Sequence, residues 1–308
     1  ERKRILLDHI YGVDIDPQAV EVTKLSLQLR VLEGEKNLVL FHNERALPDL
    51  ADNIKCGNSL IGPDFYEGKQ FTMFDDDERL RINAFDWHAE FPHAFKDGGF
   101  DAVIGNPPYI LLQDRFRNDG ELLYLRKHYY VASFKLDTYH LFLEKGVGLL
   151  RPSGIVSMIT PANFLTNNYL SALRHFMLES TVVDHILVIT GGVFQKVSVD
   201  NAISVMRIPG PTRALFPVVH ACLKGQGLAE THRVNISSVE ASKTDLALFT
   251  GEGAGLLHGL WQRVNEHAVP LGSIAHVNFG KQLRNRKVYT RDVICLPSIR
   301  DLPRQYRP

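Results

Sequence analysis

The run Asp101-Ala102-Val103-Ile104-Gly105 leads directly into Asn106-Pro107-Pro108-Tyr109. Its first five residues read as a strand buried in a parallel sheet. Ligands of open α/β sheets bind beyond the carboxyl ends of the strands, which places the following tetrapeptide in a ligand cleft. Two prolines fix the backbone direction and remove two N–H donors. Carbonyl oxygens and the Asn106 amide are left as a preset row of acceptors. Acceptors followed by an aromatic suit an exocyclic amine on a flat ring. The Asn106 side-chain oxygen and the Pro107 carbonyl would take the two amine hydrogens, with Tyr109 stacked on the ring. The plainer alternative is an Asn-Pro-Pro turn with Tyr109 as a lid over a core.

Outward from this stretch, short β-branched runs alternate with segments of helical period, the pattern of an α/β fold with a parallel sheet covered by helices. Strands are expected at His9–Ile15, Asn53–Cys56, Asp101–Gly105, Gly154–Thr160, Val182–Ile189 and Ala202–Ile208. A helix is expected over Pro17–Leu32, capped by Asp16 and opened by Pro17, with Val22, Leu25, Leu29 and Leu32 on its apolar face. Two more are expected over Thr138–Leu150, ended by Arg151-Pro152-Ser153-Gly154, and over Asn168–Leu178. Past Pro209-Gly210-Pro211 the alternation weakens, and Ala214–Pro270 carries no clear period. A new run of short strands and turns begins at Leu271.

The 308 residues are 44% hydrophobic and 23% charged, which excludes a disordered, collagen-like or coiled-coil chain. No stretch reaches the ~18 apolar residues of a membrane span and no signal peptide is visible, so a cytoplasmic protein with no membrane partner is expected. Cys56, Cys222 and Cys295 form no CxxC pair and read as free thiols. His9, His88, His93, His140 and His185 are scattered, with no two on one face beside a carboxylate, and no metal is expected. The 35 basic and 35 acidic residues balance, yet residues 281–308 hold eight Lys and Arg against two Asp, a local charge of +6. Such a segment suits phosphate contacts, and a solvated terminus is the alternative. The acidic run Asp75-Asp76-Asp77-Glu78 is expected in an exposed loop. With Glu1 first and strand-like sequence almost at once, the chain reads as a piece of a longer one.

Asn106-Pro107-Pro108-Tyr109 in this setting resembles the hallmark of the amino-methyltransferases that modify adenine N6 in DNA, the gamma-type group found in type IIG restriction–modification enzymes. Gly12-Val13-Asp14-Ile15-Asp16-Pro17 resembles the family's second motif. The resemblance implies that Asp14 accepts from the ribose hydroxyls of S-adenosylmethionine and that Ile15 packs on its adenine. Lys55-Cys56-Gly57-Asn58-Ser59-Leu60 resembles the third motif, which assigns Asn58 to the cofactor's adenine amine, although Gly-Asn-Ser is also a generic turn. Gly192-Val193-Phe194-Gln195-Lys196-Val197-Ser198, followed by Asn201–Met206, resembles the eighth motif, a loop and strand whose aromatic residue, here Phe194, packs on the flipped base together with Tyr109. The resemblance covers about Ile10 to Ile208 and weakens beyond.

It implies a Rossmann-like S-adenosylmethionine-dependent methyltransferase sheet at 1–213, a bridging segment at 214–270, and the beginning of a target-recognition domain at 271–308. Lys281, Arg284 and Arg286 would contact double-stranded DNA, and a nuclease, fused or separate, would be a partner. Asn106, Pro107 and Tyr109 would be catalytic, positioning the target amine for direct methyl transfer. The family's glycine-rich cofactor loop and its strand lie upstream of Asp14 and are missing here, so residues 1–308 alone are expected to bind cofactor weakly and to be inactive. A protein glutamine methyltransferase, which also uses Asn-Pro-Pro-Tyr, is the rival enzyme. A noncatalytic DNA-binding remnant is the rival of a different class.

Overall fold

The amide of Asn53 holds the first turn of the fold. Its Nδ2 donates to the carbonyls of Leu7 at 2.8 Å and Ile10 at 2.9 Å. These are carbonyls at the end of a helix, α1 (Arg2–His9), where no intrahelical donor remains. His9 therefore ends a helix instead of starting a strand, and β1 is confined to Gly12–Asp14. The computed structural model describes residues 1–33, 47–68, 76–112, 119–132, 136–165, 167–190, 200–208, 215–224, 227–237, 264 and 267–269.

After β1, the Asp16 carboxylate accepts from the amide of Gln18 at 2.8 Å and Pro17 begins α2 (Pro17–Leu32), with the bounds expected from the sequence. Its buried face differs from the expected one. Val20 and Val31 join Leu6, Leu50 and Ile54 in a small core, with Leu27 packed against it. Val22, Leu25 and Leu29 are 64%, 54% and 54% exposed. The helix has apolar residues on both sides, and periodicity alone does not choose between them.

Then come β2 (Ile54–Cys56), α3 (Asp76–Ile82), α4 (Trp87–Glu90), α5 (Pro92–Lys96) and β3 (Phe100–Gly105). The acidic run thus opens helix α3 from Asp76 where a loop was expected, in keeping with the preference for carboxylates in a first helical turn. Beyond β3 lie α6 (Asp119–His128), α7 (Thr138–Gly148), β4 (Leu150–Pro161), α8 (Ser171–Ser180), β5 (Val182–Thr190) and β6 (Asn201–Arg207). Residues 168–170, expected in the helix of α8, form a separate 3-10 turn before it. Residues 215–237, which periodicity left unassigned, form β7 (Leu215–Lys224) and β8 (Gly227–Ser237).

The strands form two sheets. β1 and β2 pair in parallel as a two-stranded sheet, and six strands take the order β3-β4-β6-β5-β7-β8. In the larger sheet β3 is parallel to β4 and β5 to β7, whereas β6 runs antiparallel to both its neighbours and β8 to β7. The fold is mixed α/β with a mostly central sheet. Leu141, Leu143 and Val147 of α7 and Leu173 and Met177 of α8 pack in the main core with Val156, Ile186 and Met206. At the amino ends of β1 and β3 the two sheets are joined by rings: Tyr11 lies 5.4 Å from Phe91 and 5.7 Å from Phe100, centroid to centroid. On β3, Ile104 is 88% exposed, unusual for an apolar residue in a strand that leads to a ligand cleft.

The chain divides into two units, Glu1–His258 and Gly259–Pro308. In the second, the described residues include Ala268, whose amide donates to the Val264 carbonyl at 2.7 Å. Among the described residues no helix is long and apolar enough to cross a membrane, and Cys56 and Cys222 are free thiols. Cys295 lies outside them.

Gly99 sets the start of β3. Its φ is +127°, and a Cβ there would lie 2.5 Å from the Leu149 carbonyl oxygen, a backbone atom that cannot swing away. Gly99→Ala is expected to cost about 2–3 kcal/mol through strain and clash together, measured as a lower urea midpoint. Gly148→Ala, where a Cβ meets nothing within 4 Å, is the control and is expected to leave the midpoint unchanged or raise it.

Candidate active site

Gly105 ends β3 and Asn106-Pro107-Pro108-Tyr109 leaves the sheet at its carboxyl end. The chain beyond the prolines is held by the start of α7. The Thr138 hydroxyl donates to the Pro108 carbonyl at 2.5 Å and accepts from the Ile110 amide at 3.2 Å. The backbone adds two more bonds: Thr138 N–H to the Ile110 carbonyl at 3.0 Å and Leu112 N–H to the Leu136 carbonyl at 2.9 Å. With the Pro108 oxygen so engaged, the Pro107 carbonyl and the Asn106 Nδ2 make no hydrogen bond among the described residues. Asn106 is exposed and Pro107 buried.

Tyr109 is half-buried against the main core, its ring 6.1 Å from that of Tyr139 in an edge-on arrangement. Its hydroxyl lies 3.2 Å from the Ile159 carbonyl and 3.4 Å from Asn106 Oδ1, and receives Asn201 Nδ2 at 3.4 Å. Burial raises the phenol's pKa, donation from Asn201 lowers it, and the charge of Asp137 raises it.

At the carboxyl ends of the smaller sheet stand Asp14, Ile15 and Asn58. Asp14 is exposed, its Oδ1 accepts from the Asp16 amide at 2.8 Å, its second oxygen makes no hydrogen bond among the described residues, and Ile15 is exposed beside it. Asn58 Oδ1 accepts from the Leu60 amide at 3.0 Å, the signature of a local turn, with lone-pair capacity left over. Gly57 is required next to it, because a Cβ there would lie 2.4 Å from the Phe85 ring. No hydrogen bond joins these three residues to Asn106–Tyr109 among the described residues. Phe194, Lys281, Arg284 and Arg286 lie outside them. Among the described residues no group of His, Cys, Asp and Glu is arranged to hold a metal.

Residues 8–194, more than half of the chain and including both sets of site residues, match the Eco57I restriction-modification methylase family. The chain belongs to that family. Over 187 residues, 60% of this chain and 17% of the relative, it is 30% identical to the type II restriction enzyme and methyltransferase RM.Eco57I of Escherichia coli. It is also 30% identical over 122 residues to the adenine-specific methyltransferase PglX of Streptomyces coelicolor, covering 38% of this chain and 10% of that protein. Among solved structures, a nuclease-deletion mutant of the Type ISP restriction-modification enzyme LlaGI aligns with a TM-score of 0.46 at 15% identity, over 71% of this chain and 18% of that one. This Eco57I-family chain therefore spans less than a fifth of the length of these relatives.

In this Eco57I-family chain, two residues to which sequence reading gave no role make hydrogen bonds at the site, Thr138 and Asn201. Thr138 carries a faint signal, since it opens a helix expected from periodicity. Asn201 opens the strand of the eighth motif, a signal of place and not of role. Burial shifts the titration of the polar groups behind Tyr109. Burial raises the Asp137 carboxyl, the nearby amides of Tyr139, Thr138 and Ile110 pull the other way, and its Oδ1 stays without a partner. Burial likewise raises the Tyr139 phenol, whose hydroxyl donates to Asn163 Oδ1 at 2.8 Å.

His140, 2% exposed and with Nε2 unpartnered, is pushed down to about 4 by burial. Its folded pKa lies below its unfolded one, so the unfolded chain takes up the proton first and stability falls as pH drops from about 6.5 towards 4. The loss is of order 3 kcal/mol across that window. Urea unfolding of the wild type and His140→Phe at several pH values measures it; the variant is expected to lack this part of the acid destabilisation. Equal slopes for the two proteins would count against a neutral buried His140.

Proposed function

We propose that the chain is the catalytic part of a site-specific DNA adenine-N6 methyltransferase of a restriction–modification or phage-defence system. It would move a methyl group from S-adenosylmethionine to an adenine swung out of the duplex. The observation that carries this reading is the state of the acceptors after β3. Thr138 occupies the Pro108 carbonyl, while the Pro107 carbonyl and the second lone pair of Asn106 Oδ1 remain for a ligand amine.

The residues of the smaller sheet fit the nucleoside end of the cofactor. Asp14 keeps one carboxylate oxygen free to accept from two vicinal hydroxyls, and the exposed Ile15 offers an apolar face to a purine. Asn58 retains acceptor capacity for an exocyclic amine. When bound, S-adenosylmethionine supplies a methyl group on a positively charged sulfur. Asn106 and Pro107 hold both hydrogens of the target amine, whose lone pair is otherwise delocalised into the adenine ring. So held, the nitrogen turns its lone pair to the methyl, and the acceptors stabilise the positive charge that develops. Asn106 and Pro107 would hold the amine while the cofactor gives up its methyl with the bonding pair kept on sulfur, and the surplus amine proton would leave to water. Tyr109, with Phe194 on the other face, replaces part of the stacking that the base loses on leaving the duplex.

The division of the strands supports a further element of the reading. β1 and β2 stand apart from the six-stranded sheet, and β3 ends that sheet with Ile104 bare. A strand from upstream of Glu1, followed by the glycine-rich cofactor loop, would join β1 to β3. Residues 1–308 alone would then bind cofactor weakly. We assign 1–213 to the catalytic domain, 214–270 to a bridge in which β7 and β8 continue the sheet, and 271–308 to the start of a target-recognition domain. In that last part the local +6 charge, with Lys281, Arg284 and Arg286, suits DNA phosphates. A nuclease, fused or separate, would complete the system.

The test uses the full-length protein, labelled S-adenosylmethionine and unmethylated duplex DNA. Label is expected in N6-methyladenine and is expected to fall at least about a hundredfold in Asn106→Ala, with cofactor affinity retained. Cofactor binding without label on DNA would overturn the reading and leave protein glutamine as the substrate to try. DNA binding indifferent to cofactor would support a noncatalytic remnant.

A further inference from the structure

Asn201 begins β6 between Pro161 of β4 and Ile189 of β5, and is 1% exposed. A polar side chain so deeply buried is costly unless its groups are engaged. Its Nδ2 donates to the Tyr109 hydroxyl at 3.4 Å, and its Oδ1 is buried without a partner. The Tyr109 oxygen in turn stands 3.4 Å from Asn106 Oδ1 and 3.2 Å from the Ile159 carbonyl.

A phenol has a single hydrogen to give and accepts one hydrogen bond well, its other lone pair being drawn into the ring. With Asn201 donating to that oxygen, the phenol hydrogen must go outward, to Asn106 Oδ1 or to the Ile159 carbonyl. It cannot also receive the Asn106 NH2. The amide of Asn106 is thereby turned with its oxygen, and not its nitrogen, towards Tyr109. The reverse chain needs Asn201 to be flipped, which would leave two N–H groups orphaned in place of one oxygen and one N–H. Orphaned donors are the rarer and costlier case.

We propose that Asn201 is a positioning residue: it fixes the direction of the hydrogen-bond chain Asn201 to Tyr109 to Asn106, and so holds the Asn106 oxygen where the target amine needs an acceptor. Asn201 reaches neither base nor cofactor itself. The inference rests on the methyl-transfer reading for its consequence and on hydrogen-bond polarity for its cause, and the two are tested separately.

In the full-length protein, single-turnover methyl transfer to duplex DNA is measured for Asn201→Asp, Tyr109→Phe and the double variant, with cofactor affinity as the control for folding. At about pH 8 the Asp carboxylate accepts from the phenol and reverses the chain, so the rate is expected to fall at least about tenfold with cofactor affinity unchanged. At lower pH the protonated carboxyl can donate as the amide did, and the rate relative to wild type is expected to recover. Tyr109→Phe removes the chain, so adding Asn201→Asp to it is expected to cost nothing more. Losses that add, or an Asn201→Asp rate that tracks the wild-type pH profile, would overturn the proposal.

Should Asn201→Asp fail to fold, the neutral Asn201→Leu takes its place in the same cycle. A second readout needs no activity. With 3-fluorotyrosine at position 109, fluorine resonance reports ionisation of the phenol, and Asn201→Leu is expected to raise its pKa by removing the donor that favours the phenolate. An unchanged titration would overturn the proposed chain. If the wild-type protein moves no methyl to DNA, the functional reading falls while this titration still decides the role of Asn201.

Discussion

Two consecutive prolines leave residues 107 and 108 without an amide hydrogen, so the chain after β3 can be held only through its carbonyls and through the amides from Tyr109 onward. Thr138 meets both needs with one hydroxyl, donating to the Pro108 carbonyl and accepting from the Ile110 amide. Because Thr138 is also the first residue of α7, the tetrapeptide is fixed to the helix that packs on β4. The direction of Asn106, the packing of Tyr109 beside Tyr139 and the burial of Asp137 all depend on that attachment. The close approach of Gly99 to the Leu149 carbonyl secures the other end of β3.

A second constraint acts on the same residues from behind. β4 and β6 are paired so that Pro161 faces Asn201, and this register brings the Asn201 amide to the Tyr109 hydroxyl. The site is thus defined by strands and a helix that are far apart in the chain, each contributing one polar group. The smaller sheet meets the larger through the rings of Tyr11, Phe91 and Phe100, near the amino ends of the strands. The carboxyl end of β2 is packed as well, with Phe85 against Gly57 and Leu60 in the main core, while Asp14 and Asn106 stand exposed.

Much of this was legible in the chain because local rules were obeyed. Asp16-Pro17 marked the start of α2, the apolar run before Asn106 marked β3, and the alternation of strands and helices marked the α/β class. The tetrapeptide was legible because its chemistry is unusual and contiguous. What was not legible depends on partners distant in sequence. α2 is apolar on two sides, and only Leu6, Leu50 and Ile54 decide that Val20 and Val31 go inside while Leu25 and Leu29 do not. β7 contains Pro217, His220 and Cys222 and reads as mixed until its pairing with β5 is known. Thr138 and Asn201 are common residues whose roles arise from their contacts with the Asn106–Tyr109 loop and the residue after it.

The two margins of the six-stranded sheet are unlike. On β8 the outer edge carries the Arg233–Glu230 ion pair and exposed polar residues such as Thr231 and Asn235, the kind of fringe that discourages strand addition. On β3 the opposite edge presents exposed Ala102 and Ile104 after the exposed Asp101, which pairs with Arg151 of β4. A further strand laid along that margin would bury the apolar surface of Ala102 and Ile104, so the sheet is open to extension on its β3 side.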